Sequence, residues 1–149
     1  MRALSQIDAM VNNDLVVGLP ELRNSLLNLH KSLVDMERVG YENAIGPIAS
    51  PNHFLQLLTS DPWFAWLHPL SLLIVALDEA AEQKEPLTMK EIEALFNRAR
   101  TLLVASETGE GFGKNYFEAL QGDPDVVFAH AEVAKLLKAK KGEKRDCSG

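Results

Sequence analysis

The sequence predicts an all-α protein, a single-domain bundle of five to seven helices around a central apolar helix. Three observations predict it. Helix-start signatures recur along the chain, and apolar residues return at spacings of three and four. No run sustains the apolar–polar alternation of a strand, and β-branched residues are sparse. At 149 residues, 46% hydrophobic and 24% charged, the composition is that of a globular domain with one core.

The first helix is expected over Pro20–Ala44. Leu22, Leu26, Leu29, Leu33 and Met36 form one stripe, widened by Leu27, Val34 and Tyr41. Pro20 suits a first turn, where its missing N–H costs nothing, and Gly46-Pro47 ends the helix. Three later starts share one device: Ser50-Pro51, Asp61-Pro62 and Asp123-Pro124 each set a capping oxygen before a proline. Thr88 and Glu91 form a capping box, with Leu87 and Ile92 at the positions of a hydrophobic staple. The remaining helices are therefore placed at Pro51–Thr59, Pro62–Glu82, Met89–Val104, Gly113–Gln121 and Pro124–Lys140. Pro69 predicts a kink in the third of the six, or a break near His68. That helix is expected to be the centre, with Trp63, Trp66, Leu70, Leu73 and Leu77 on one stripe and Phe64, Leu67 and Ile74 around it. Residues 1–18 are expected to be a loosely ordered N-terminal segment, 19–141 the helical domain and 142–149 a disordered basic tail.

The net charge of −6 is unevenly spread. Lys135 to Gly149 holds six basic and two acidic residues, against nine and nineteen before it. An acidic body disfavours nucleic-acid binding by the folded part. The one cysteine, Cys147, lies near the C-terminus, so no intrachain disulfide forms. No signal-like segment opens the sequence. The run Trp63–Leu77 is shorter than the roughly 20 residues of a membrane span. A cytoplasmic protein, away from membranes, is the expectation.

Chemistry is thinly marked. Of His30, His53, His68 and His130, none follows a Glu by three residues and no two share a turn, so no metal site is expected. No cofactor and no catalytic residues are assigned, and Gly-x-Ser-x-Gly is missing. His68 lies in the most apolar run and is expected to be either a satisfied core histidine at a helix break or a polar group in a pocket. Ser71, Glu42 and Asp78 are its candidate partners. Tyr41, Glu42, Trp63, Trp66 and His68 are the candidate ligand-binding residues. Gly109, Gly111, Gly113 and Lys114 have the glycines and lysine of an anion loop, but no strand precedes them and Glu107 and Glu110 oppose an anion. A connection with Phe112 plugged into the core is the favoured reading of that segment.

The stretch Tyr41-Glu42, Gly46-Pro47-Ile48, Ser50-Pro51 and Asp61 through Ser71, with Gly109 through Gly113, resembles a group of small bacterial helical proteins with no assigned activity. That resemblance implies a bacterial cytoplasmic protein and carries over no functional residue. The expected function is protein–protein interaction, self-association included. The alternative is a small-molecule binder or enzyme with its pocket around Trp63, Trp66 and His68.

Overall fold

The computed structural model describes the backbone of residues 2–141 and the side chains of residues 18–138. The expected tail, 142–149, and the side chains of the N-terminal segment lie outside the described residues. The chain is all helical, with no strand among the described residues. It runs as α1 (Arg2–Ala44), α2 (Pro51–Ser60), a 3-10 segment (Pro62–Leu67), α3 (His68–Glu82), α4 (Met89–Leu102), α5 (Phe112–Gly122) and α6 (Pro124–Lys141).

The predicted caps form. The Ser50 hydroxyl accepts from the His53 N–H, and the Asp61 carboxylate from the Trp63 N–H at 2.8 Å. Asp123 accepts from Asp125 and Val126. Thr88 and Glu91 bond reciprocally, at 3.1 Å and 2.8 Å, satisfying two otherwise orphaned N–H groups at the start of α4.

Pro20 lies inside α1 instead of opening it. The residue before it explains the difference. Leu19 has no oxygen with which to cap a new helix, unlike Ser50, Asp61 and Asp123. The helix therefore continues through the proline at the loss of one backbone hydrogen bond.

The centre of the domain is α1, not α3. Leu22, Leu26, Leu29 and Leu33 are fully buried, and α3, α4 and α6 all pack on α1. From α4 come Ile92, Phe96 and Ala99; from α6, Val126, Val133 and Leu137. The expected Trp63–Trp66 stripe also shifts. Trp63 and Trp66 are half-buried, whereas Phe64, Leu67, Leu70 and Leu73 are buried, each three residues after the last. A 3-10 segment turns about 120° per residue against the α-helix's 100°, so every third residue lines up there. Extrapolating α-helical spacing across Pro62–Leu67 selects the wrong face. The break near His68 occurs as expected, because Pro69 is compatible with a first turn and not with an unbroken helix.

The helical stretch Pro62–Glu82 is 21 residues long and holds an 18-residue window of mean hydropathy 1.3, long and apolar enough by composition to cross a membrane, a property that the core helix of a soluble protein shares.

Candidate functional site

Three residues of α1, each seven after the last, face the antiparallel 3-10 segment and α3. Arg23 pairs with Asp78, His30 meets Ser71, and Glu37 meets Trp63 and Trp66. Seven residues are two helical turns, so the three positions share one edge of the leucine stripe. The partners step back along α3 in the opposite sense. The result is a polar seam along one side of the core.

At the first rung Arg23 Nε donates to Asp78 Oδ1, with both side chains partly exposed. At the second, His30 Nε2 and Ser71 Oγ are 2.8 Å apart, and burial lowers the His30 pKa. A serine beside an imidazole is half of a hydrolytic arrangement. Ser71, however, sits within α3, where the following backbone N–H groups are committed to the helix ladder and unavailable to an oxyanion. The pair aligns two helices. At the third rung the Glu37 carboxylate accepts from the indole N–H of Trp63 at 3.2 Å and of Trp66 at 2.5 Å. Tyr41 meets Trp63 edge to face, with ring centroids 5.8 Å apart.

The structure therefore brings Tyr41, Trp63 and Trp66 together as expected, but around a carboxylate that closes the cluster. It does not bring His68 there. His68 is exposed on the outer side of α3, so it is neither a core histidine nor the floor of a pocket. Its expected partners are engaged elsewhere: Ser71 with His30, Asp78 with Arg23, and Glu42 with Arg38 at 4.0 Å.

A second buried contact joins α5 to α6. The Tyr116 hydroxyl lies 2.6 Å from His130 Nδ1, and Phe112 stacks between Trp66 and Tyr116 with centroids 5.3 Å from each. Burial pushes the Tyr116 phenol up and the His130 imidazole down, so the phenol donates to a neutral ring. Phe112 is the core plug that the sequence predicts. The neighbouring glycine segment folds on itself. The Ser106 N–H donates to the Gly113 carbonyl, and Gly111 takes a positive φ of 66°. A Cβ at Gly109 would lie 2.6 Å from Ser106 Oγ. The Lys114 ammonium donates to the Glu107 carbonyl and lies 3.6 Å from the Glu118 carboxylate, a geometry directed at its own loop.

Two concave surfaces follow from this packing, the first of them taking in the Arg23–Asp78 rung. One, of about 590 Å³, lies at the Arg23–Asp78 end of the seam, between Leu19, Pro20, Leu77 and the Gln83–Leu87 connection. The other, of about 490 Å³, runs between α3 and α4 and is lined by Pro69, Leu72, Asn97, Arg98, Thr101 and Leu102. Beside it, Leu72 is 53% and Val75 48% exposed. Among the described residues no three potential metal ligands converge.

Fold and surfaces together define an all-α helical domain with a polar seam and an uncovered apolar face. No family model matches the sequence, and no curated protein and no solved structure matches it.

Sequence reasoning missed Arg23, His30, Glu37, Tyr116 and His130. A signal existed for Glu37: an acidic residue beside Met36, it stands at the margin of the leucine stripe, one turn after Leu33. His30 follows Leu26 by four on the same margin.

Proposed function

We propose that this chain is a protein-interaction domain that docks a partner on the outer face of α3 and the adjoining edge of α4. One observation carries the reading. Pro62–Glu82 contains the most apolar window of the chain, yet only 33% of that window is buried. Its outer side presents Ala65, Pro69, Leu72 and Val75 to solvent, continuous with the groove that ends at Leu102. Isolated exposed aliphatics are ordinary; a continuous strip beside an apolar groove is what a docking surface requires. The bacterial, cytoplasmic setting expected from the sequence belongs to the same proposal.

Site-specific photo-crosslinking in the producing cell tests it. A benzophenone side chain at position 72 or 75 gives a protein adduct of discrete mass, and one at Lys31, exposed on α1 away from this face, gives none. Absence of an adduct at both 72 and 75 refutes the reading.

The cavity beside Arg23 and Asp78 favours a second reading, binding of a small organic molecule. Its apolar lining from Leu19, Leu77 and Leu87 would hold the body of such a molecule, and the ion pair its polar end. Native mass spectrometry checks this: the purified chain carries a retained mass that Leu77→Arg, which fills the cavity, abolishes.

A further inference from the structure

We infer that the partner on this face is a second copy of the same chain, with two α3 helices packed antiparallel about a two-fold axis. The inference rests on the docking reading above and names its occupant.

The face is self-complementary. His68, Leu72, Val75 and Glu79 follow at spacings of four, three and four, so they share the outward side of α3, and all four are exposed. An isologous contact pairs residue i with j and j with i. With the axis placed between positions 72 and 75, Leu72 meets Val75 of the partner subunit, and His68 meets Glu79 of the partner subunit. Apolar groups then occupy the middle, and an imidazole faces a carboxylate at each end. The parallel arrangement instead sets Glu79 against its own copy, two like charges at one end. The chemistry of the strip thus selects the antiparallel register.

The available area is sufficient. The 21 residues from Pro62 to Glu82 extend about 35 Å, and α4 alongside widens the layer to about 20 Å. With α4 about 21 Å long, the face offers about 550 Å² per subunit, or about 1,100 Å² in total, just above the roughly 1,000 Å² a specific interface should clear. The α3–α4 groove accepts a side chain from the opposing copy, which a flat strip would not.

The test is the association state of the full chain by sedimentation equilibrium between about 5 and 200 μM, combined with a charge exchange. The wild type is expected at twice the chain mass. His68→Glu and Glu79→Lys, both at exposed positions, each raise the dissociation constant at least tenfold, while the thermal melt of the chain diluted to monomer stays unmoved. The double variant, which sets a carboxylate against an ammonium across the axis, returns the dissociation constant to within about threefold of wild type. A wild type that is monomeric at 200 μM overturns the inference. So does a double variant whose losses simply accumulate, because the register is then wrong. Crosslinked adducts at 72 and 75 of a mass other than twice the chain also overturn it, while leaving the docking reading intact. Co-sedimentation of a monomeric chain with phosphatidylglycerol vesicles, abolished by Leu72→Glu, overturns both in favour of a lipid surface.

Discussion

Glu37→Gln is the most informative single change in the seam. The carboxylate accepts two indole N–H groups, one on each oxygen. The amide keeps one oxygen and turns an NH₂ toward the other indole, which loses its acceptor. A hydrogen bond to a charged group contributes about 1.5–3 kcal/mol, and the lower end applies because the site is only partly buried. Adding the weakening of the surviving bond from charged to neutral gives a loss of about 2 kcal/mol. For a chain of this size that is roughly 4–8 °C in Tm. The assay is urea denaturation followed by tryptophan emission. Trp63 and Trp66 are the two tryptophans of the sequence, so emission reports this rung directly. The midpoint should fall with m unchanged. A loss below about 0.5 kcal/mol with an unaltered native spectrum would show that the indoles find other acceptors, and the rung would be incidental to stability.

Leu29→Ala, in the buried stripe of α1, should cost about 3 kcal/mol in a denaturant melt, and Leu72→Ala on the outer face of α3 under about 1. Equal costs would return α3 to the centre of the domain. Thr88→Ala removes one half of the capping box and should cost about 1 kcal/mol, read as a shift in denaturation midpoint. Burial lowers the pKa of both His30 and His130 in the folded chain, so protonation favours the unfolded chain. Stability should be flat above about pH 6.5, the unfolded value, and should decline as pH falls from there toward the folded values. Melts at pH 7.5, 6.0 and 5.0 check this, and the decline should shrink in His30→Gln.

Local signals were legible in the sequence because they act over a few residues. The Ser50, Asp61, Thr88 and Asp123 caps each need one side chain and the next turn, and all four appear. The break at His68-Pro69 follows from the proline ring alone. Tertiary features were less legible. The predicted centre moved from α3 to α1 because apolar content records how greasy a helix is, not how many neighbours surround it: α3 keeps Leu72 and Val75 in solvent. The change from α to 3-10 winding rotated Trp63 and Trp66 off the predicted stripe. The candidate ligand cluster was right about Tyr41, Trp63 and Trp66 as neighbours. It missed Glu37 because that partner lies 26 and 29 residues away from the two indoles. The apolar neighbours of His68 in sequence suggest burial, yet Leu67 and Leu70 point inward on other sides of the turn, while His68 and Pro69 face solvent.

The three rungs between α1 and α3 differ in kind: a charge pair, an imidazole with a hydroxyl, and a carboxylate with two indoles. Slide one helix by two turns and Arg23 confronts Ser71 while His30 confronts the indoles, with Glu37 and Asp78 stranded. Leucines tolerate such a slip, since one leucine fits another's place about as well. The rungs do not, so alignment of the two helices is written into them and not into the chain that joins them. The short connection between α1 and α2, residues 45–49, is thereby released from measuring distance. Residues added to or removed from it should leave the helices in phase.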